Sequence, residues 1–485
     1  MKIQTVTLEQ VLSARDRRAQ IQSNMLGREG ADALVCLTLN IAGEIKRTVL
    51  TGLLFRRGIE AFDRLGLDVM EQLFVGGPAG NEAFWLVRGD AEEIKRKLEA
   101  VEESYPAARL FDFDVLVPNV PAESGGGIIP VKLSRASARS CLICGRPAAE
   151  CARSRAHGLE AVREVTWDLL RGSCAQTLSD AAYDSLLDEL YTTPKPGLVD
   201  LADCGAHTDM DVPLFEKSAL SLRPYFRDAA MLGMAGCSMK ELRQRGLEAE
   251  REMFEATGGI NTHKGLIYSM GLLLAGMGRA VAGAERGRII SEEELSRAAV
   301  RFASELARQD AGEMLSKSLA DPKTNGAKVL RDHGAKGASG EAQEGFPGAL
   351  YCESRLKKYR ETEHGDCSAD DVASDTADVH CLTGVASDTA DVHCLAGALA
   401  FCDSMARLED TNLLYRGGEA GLSFARSEAR RISEIRDAGG RIRELAALNK
   451  EMIRRGLSPG GSADMLALAF LLERWRKLAK TAISK

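Results

Sequence analysis

Arg109-Leu-Phe-Asp-Phe-Asp-Val-Leu-Val117 is the stretch that decides the fold of the first part of the chain. Apolar and acidic residues alternate along it, and a period of two predicts a β-strand whose two carboxylates lie on one face. Further strands are predicted at residues 34–41 and 83–87, with a helix capped by Asp90 before the third strand. Residues 1–168 are therefore predicted to form an α+β domain.

The rest of the chain has a different pattern. From about Thr177 onward the apolar residues recur with a helical period, and polar, glycine-containing loops separate the helical stretches. A chain of 485 residues is also too long for one ordinary core. We therefore predict a second, mostly all-α domain over residues 175–485, with the boundary near residues 166–176.

Composition excludes several classes of protein. A net charge of -7 argues against a dedicated nucleic-acid binder. No secretory signal is recognisable, and the apolar run from Gly265 to Gly278 is too short to cross a membrane, so it predicts a buried, closely packed helix. Twelve cysteines without a signal indicate reduced thiols. The expected location is the cytoplasm, with neither a membrane nor a nucleic acid as partner.

A short tandem duplication interrupts the second domain. Residues 372–384 recur as residues 385–397, with Thr383 replaced by Ala396. Two nearly identical copies are too few and too short for a solenoid. We expect the extra copy to loop out, and we expect no metal site at the duplicated pairs His380, Cys381, His393 and Cys394.

Two features of the first domain suit phosphate chemistry. Asp112 and Asp114 could together hold Mg²⁺, although an exposed strand face would explain the same spacing. Lys46 follows a glycine turn at the end of the first predicted strand, where it could contact a phosphate.

A cysteine and histidine cluster follows. Cys141, Cys144, Cys151 and His157 place three thiols and an imidazole within 17 residues, a set that could close a tetrahedral Zn²⁺ site. The alternative is a cluster of reduced, buried cysteines beside a cationic segment, in which Arg153 and Arg155 bind phosphate. The spacing matches no common zinc module, so both interpretations stay open.

Four segments of the first domain together resemble one family: residues 39–46, 77–85, 109–115 and 141–157. Over about residues 8–165 the chain is similar to apo-citrate lyase phosphoribosyl-dephospho-CoA transferases. The resemblance implies a nucleotidyltransferase-like domain that joins a prosthetic group to a carrier-protein serine and releases pyrophosphate. It makes Asp112 and Asp114 the metal candidates. Ala108 stands where this family usually has glycine.

In the second domain, the loop from Thr192 to Asp211 is dense in ionisable groups. Lys195 lies in a rigid proline turn, and four carboxylates and His207 follow within twelve residues, among them Asp209 and Asp211. Unpaired carboxylates repel one another, so a metal ion or basic partners are expected there.

A glycine-rich loop, Thr257 to Gly265, precedes the apolar helix. It carries Asn261, His263 and Lys264, and backbone N–H groups at such a helix start can bind an anion. The spacing is not that of a Walker A loop, and a simple helix cap is the alternative.

Together with two further polar loops at residues 337–347 and 409–418, these loops, in this order, resemble triphosphoribosyl-dephospho-CoA synthases over about residues 175–460. That resemblance implies that the 2′-hydroxyl of dephospho-CoA displaces adenine from ATP. It suggests Asp209 and Asp211 for Mg²⁺, Lys195 and Lys264 for phosphates, and His207 or Glu250 for proton transfer, with Asn261 and His263 in the binding loop. Asp209 would also belong to the catalytic set. Ser339 stands where an arginine is expected.

The two resemblances support each other, because the product of the synthase is the substrate of the transferase. The expected partners are ATP, 3′-dephospho-CoA and the acyl carrier protein of citrate lyase. One alternative is the equivalent system of malonate decarboxylase. Another, of a different class, is a zinc-dependent, non-catalytic scaffold that docks the carrier protein.

Overall fold

A computed structural model describes residues 5–119, 129–285, 291–309, 311–312, 316, 324–363 and 388–483. The chain divides into two compact units. The first consists of Met1–Gln176, Val281–Leu295 and Leu478–Lys485, and the second of Thr177–Ala280 and Ser296–Lys477. The first unit thus includes two short segments from the second half of the chain, which no sequence pattern indicated.

The sheet of the first unit has five strands in the order β2-β3-β1-β4-β5, and its paired neighbours are antiparallel. The three predicted strands are present as β1, β3 and β4. The strands are β1 (Ala33–Leu39), β2 (Asp68–Gly77), β3 (Gly80–Arg88), β4 (Phe111–Asn119) and β5 (Ile129–Lys132).

Four helices accompany these strands before residue 158: α1 (Leu8–Leu26), α2 (Val49–Asp63), α3 (Ala91–Glu103) and α4 (Ala148–Ser154). The predicted caps are present, since Thr7 and Gln10 form a capping box and Asp90 accepts hydrogen bonds at the start of α3. Helix α2 packs on the sheet, where a Cβ on Gly58 would lie only 2.7 Å from Leu37 Cδ2.

Twelve helices are described from residue 159 to the C-terminal end. This confirms the predicted change from mixed to helical structure. They are α5 (Leu159–Tyr191), α6 (Val212–Ala235), α7 (Met239–Ala256), α8 (Lys264–Ala284), α9 (Glu292–Arg308), α10 (Asn325–His333), α11 (Gly337–Gln343), α12 (Pro347–Glu363), α13 (Asp388–Met405), α14 (Thr411–Ser433), α15 (Ala438–Arg455) and α16 (Gly460–Ile483).

Helix α8 is the buried, closely packed helix that the sequence predicts. A Cβ on Gly276 would lie 2.1 Å from the Ala299 carbonyl oxygen, so only glycine permits this approach of two backbones. By length and composition α8 is the one helix among the described residues that could cross a membrane, yet 78% of its most apolar window is buried inside the structure. A core helix has the same properties.

The duplicated segment is described only in part. Helix α13 begins at Asp388, inside the second copy, and Ala396 is fully buried. The prediction that the extra copy loops out lies outside the described residues, as do His380 and Cys381. The same holds for the side chains of His393 and Cys394.

Candidate active sites

The first candidate site is a cleft beside strand β4. Asp112 and Asp114 both line it, as the strand alternation predicts. The cavity has a volume of about 460 Å³. Its lining consists of Asn40, Lys95, Asp112, Asp114, Lys132, Leu133, Ser134, Arg135 and Arg139.

The cleft carries an excess of positive charge. Four cationic side chains face two carboxylates in the lining, and the adjacent Glu102 carboxylate, which pairs with Arg135 and Arg139, leaves one net positive charge. Lys132 Nζ lies 2.5 Å from Asp114 Oδ1, and an Arg139 guanidinium nitrogen lies 3.0 Å from Asp112 Oδ1. Such a site attracts a polyphosphate, and its two carboxylates are oxygen donors of the kind that Mg²⁺ prefers.

Glu102 connects several residues of this cleft, and the sequence analysis did not predict it. Its carboxylate accepts the backbone N–H of Phe113 at 2.7 Å, between the two aspartates, and binds Arg139 at 2.6 Å and also Arg135. Lys95 donates to the Phe113 carbonyl oxygen at 2.9 Å, and burial lowers the pKa of Lys95. The sequence does not distinguish Glu102 from the adjacent Glu103, because both are glutamates. Only the side-chain distances in the structure identify Glu102 as the residue that contacts the cleft.

The other predicted residues of the first domain lie elsewhere. Lys46 donates to the Ile41 carbonyl oxygen, and burial lowers its pKa. Arg153 lies in the last turn of α4 and Arg155 follows the helix in a left-handed conformation, both exposed. None of these three is among the described residues that line the cleft. Ala108 is buried in a 3₁₀ turn and has no positive φ, so this turn does not require glycine.

The predicted cysteine and histidine residues do come together. The ligand atoms of Cys141, Cys144, Cys151 and His157 all lie within 4.8 Å of one another. Cys144 Sγ is 3.5 Å from Cys151 Sγ and 3.2 Å from His157 Nε2. Hydrogen bonds, first from Arg146 and then from His157, lower the pKa of Cys144 to about 5, which favours the thiolate that metals bind. The cluster could hold a metal ion.

In the second unit, Lys195 is fully buried and already paired. Its Nζ lies 2.5 Å from Glu189 Oε1, and burial raises the pKa of Glu189. The Lys195 backbone N–H donates to Asp200 at 2.8 Å, which closes the proline turn. In this conformation Lys195 and Asp200 shape the loop that carries the remaining predicted groups.

His207 is held from both sides. Its Nδ1 lies 3.3 Å from an Arg416 nitrogen and its Nε2 lies 2.9 Å from Ser458 Oγ. Since arginine only donates, Nδ1 is the acceptor and Nε2 carries the proton. Burial, with Arg416 adding to it, lowers the pKa of His207. Asp209 and Asp211, which follow His207 closely in the sequence, are exposed to solvent, and Asp211 also caps α6.

The glycine-rich loop brings two predicted residues into contact. Lys264 Nζ lies 2.8 Å from Glu250 Oε2, and Asn261 Oδ1 accepts the Lys264 backbone N–H at 3.3 Å. His263 is buried, its Nδ1 lies 2.7 Å from Ser218 Oγ, and burial lowers its pKa to about 3. It therefore stays neutral at physiological pH.

Two further carboxylates of the second unit, Asp464 and Asp410, were not among the predicted site residues. A Cβ on Gly265 would lie 3.0 Å from Asp464 Oδ2, and Asp410 accepts from Ser462 at 2.8 Å while it caps α14. Burial raises the pKa of both carboxyl groups. The proline- and glycine-rich run 458–464 at the start of α16 is the signal that could have pointed to Asp464.

Two family models match the chain. Residues 6–171 match the family of apo-citrate lyase phosphoribosyl-dephospho-CoA transferases. Residues 175–375 and 390–482 match the family of ATP:dephospho-CoA triphosphoribosyl transferases. The chain belongs to both families, fused in one polypeptide. Both resemblances found in the sequence are thereby confirmed, and the protein is a bifunctional transferase. The second match breaks off inside the tandem duplication.

Similar proteins match either nearly the whole chain or its second part. Protein CitXG of Haemophilus influenzae is 29% identical over 495 residues, which cover 97% of each chain. Protein CitXG of Leuconostoc mesenteroides subsp. cremoris is 26% identical with the same coverage. A probable 2-(5''-triphosphoribosyl)-3'-dephosphocoenzyme-A synthase of Pseudomonas fluorescens is 36% identical over 314 residues, covering 62% of this chain and 92% of that protein. The families together support synthesis and attachment of the citrate lyase prosthetic group.

Proposed function

We propose that the second unit converts ATP and 3′-dephospho-CoA into 2′-(5″-triphosphoribosyl)-3′-dephospho-CoA and adenine. The 2′-hydroxyl oxygen forms a bond to C1′ of the ATP ribose while the bond to adenine breaks, and the hydroxyl proton balances the proton that adenine gains. The first unit then transfers the product to a serine of the citrate lyase acyl carrier protein. The serine oxygen bonds to the α-phosphorus, the bond from that phosphorus to the β-phosphate oxygen breaks, and pyrophosphate leaves with the proton that the serine hydroxyl gives up.

One observation carries this proposal: the chain joins two families whose reactions are consecutive. A protein that makes the activated prosthetic group has an immediate use for it in the second reaction. The charge of the β4 cleft agrees with this order, because the transferred group arrives as a triphosphate.

For the transfer reaction we assign Asp112 and Asp114 as Mg²⁺ ligands in a nucleotidyltransferase-like site. An ion held by these two carboxylates would supply positive charge that offsets the charge on the departing pyrophosphate. Lys95, Lys132 and the two cleft arginines would hold the phosphates in place. Lys46, Arg153 and Arg155 remain proposed contacts for other parts of the prosthetic group.

For the synthase reaction we assign the triphosphate to the start of α8. Backbone N–H groups at a helix start, with Asn261 and Lys264 beside them, favour an anion. The exposed carboxylates of Asp209 and Asp211 pair with no lysine or arginine among the described residues, which suits Mg²⁺ bound with ATP.

Proton transfer in this reaction needs a base for the hydroxyl and an acid for adenine. Glu250 is the better placed base, because it already contacts Lys264 at the binding loop. Both nitrogens of His207 are engaged, so this residue would act after one of its hydrogen bonds breaks. Lys195 and His263 would support the loop from the interior, next to the substrate-binding residues.

Zn²⁺ is the ion that we propose for the cysteine and histidine cluster, since three sulfurs and one imidazole are a donor set that Zn²⁺ prefers. We propose the cytoplasm as the location. All nine cysteines that the structure describes are free thiols, the state that a reducing compartment maintains.

The test is adenine release, measured by chromatography, from the full chain with ATP, Mg²⁺ and dephospho-CoA. Adenine that appears only with dephospho-CoA supports the synthase reaction, and a scaffold without activity would release none. Apo-carrier protein is added next, and its mass should rise by the prosthetic group. Carrier proteins of citrate lyase and malonate decarboxylase, tested side by side, decide between the two systems.

A further inference from the structure

The segment from Ser134 to Gly158 lacks a hydrophobic core of its own. Over these 25 residues, all of them described, the only buried side chains are Cys141 and Cys151. Helix α4 within it has seven residues, too few to be stable alone. A segment of this kind needs a covalent or metal staple to keep one conformation.

The cluster lies where such a staple would act. Cys141 and Cys144 occupy a tight hairpin in which the Cys141 N–H donates to the Arg146 carbonyl oxygen at 2.6 Å and the Gly145 N–H donates back to Cys141 at 3.2 Å. Cys151 is on α4 and His157 follows that helix. One ion bound by all four would therefore join the hairpin to the helix.

The hairpin also contacts the β4 cleft, which we assigned to the transfer reaction and call the transfer cleft below. Arg139, immediately before it, reaches Asp112 at 3.0 Å and Glu102 at 2.6 Å. A second contact involves Arg109, directly before β4, which donates to the carbonyl oxygens of Ser140 and Cys141 at 3.0 and 3.1 Å. The position of Arg139 in the cleft thus depends on the hairpin.

We propose that a zinc ion bound by Cys141, Cys144, Cys151 and His157 forms the core of this segment and holds Arg139 against Asp112 in the transfer cleft. The role is structural. Four protein ligands leave no open coordination position, and none of the four residues lines the cleft. Arg139 is the positioning link between the ion and the phosphates, and this part of the inference rests on the proposed transfer function.

The first measurement is the metal content of the full chain, by mass spectrometry of the elements, after purification without chelators. We expect about one zinc per chain. Cys144→Ser should lose it, whereas Cys204→Ser should keep it, because Cys204 is an exposed free cysteine outside the cluster. Cobalt in place of zinc should give the strong visible absorption of a tetrahedral thiolate site. Protein without zinc, or Cys144→Ser with full zinc, would overturn the proposal.

A second readout needs no activity. Trypsin can cut after Arg135, Arg139, Arg153 and Arg155 in this segment. We expect these bonds to be protected in the zinc-loaded protein and cut first in Cys144→Ser. Equal cutting of both proteins would contradict a structural ion. This result is independent of whether the chain transfers anything, so it separates failure of this inference from failure of the proposed function.

The third measurement connects the ion to the cleft. With pre-made prosthetic group and carrier protein, Cys144→Ser should raise the KM for the prosthetic group about 10- to 100-fold, the usual effect of losing a supporting contact. Adenine release should stay unchanged. In an Arg139→Ala background the same loss of zinc should cost less than about threefold, since the link is already broken. If the effects of Cys144→Ser and Arg139→Ala on this KM multiply, zinc does not act through Arg139.

Discussion

Glu102→Gln tests how the transfer cleft is held together. The Glu102 side chain is 3% exposed and binds Arg135, Arg139 and the Phe113 N–H, while the two arginines are 18% and 24% exposed. Breaking a fully buried ion pair costs about 3–5 kcal/mol. The arginines keep some contact with water, so we expect the lower end of this range or slightly less, about 2–3 kcal/mol.

The assay has to report on the first unit alone, because a chain of two units need not unfold in one step. Hydrogen exchange followed by mass spectrometry, on peptides that cover β4 at increasing urea, meets this need. Glu103→Gln is the matched control: Glu103 is adjacent, 66% exposed and bound to Arg135 at 3.3 Å. Its expected effect is below about 0.5 kcal/mol. Equal shifts in the two variants would refute the role given to Glu102.

The two sites and the half-buried carboxylate of Glu285 give three further predictions. Asp209→Ala should abolish adenine release and leave transfer of pre-made prosthetic group intact, and Asp112→Ala should do the reverse; equal loss of both activities in either variant contradicts separate sites. Lys264→Gln should raise the KM for ATP roughly tenfold or more in initial-rate assays, since a hydrogen bond to a charged group contributes about 1.5–3 kcal/mol; an unchanged KM places the triphosphate elsewhere. Burial raises the pKa of Glu285, which accepts the Leu50 N–H, from 4.5 to about 7. This group therefore favours the folded state below about pH 4.5, and its contribution, roughly 3 kcal/mol at most, is lost as the pH rises through about 7. Glu285→Gln should flatten that dependence between pH 5 and 8, measured by hydrogen exchange at increasing urea on peptides that cover Leu50, and an unchanged pH dependence would contradict a protonated Glu285.

Local patterns determined much of this protein. The alternation around Asp112 fixed a strand with both carboxylates on one face, and the helical period after Thr177 separated the two kinds of structure. The four candidate metal ligands lie within 17 residues, so only a hairpin and one short helix were needed to bring them together. The resemblance of short motifs to two known families then predicted both reactions. In each case the information lies within a short stretch of chain, where periodicity and spacing act directly.

Long-range packing decided the rest. Glu102 meets Arg139 across 37 positions and Asp410 meets Ser462 across 52, and no pattern in the sequence predicts such pairs. His263 and Lys195 lie in loops whose sequences suggest exposure. In the structure, burial keeps His263 neutral, and Lys195 is paired with Glu189 in the interior. A residue type states which chemistry is available. Only the surrounding tertiary structure sets the solvent access and charged neighbours that determine whether that chemistry serves binding, catalysis or support.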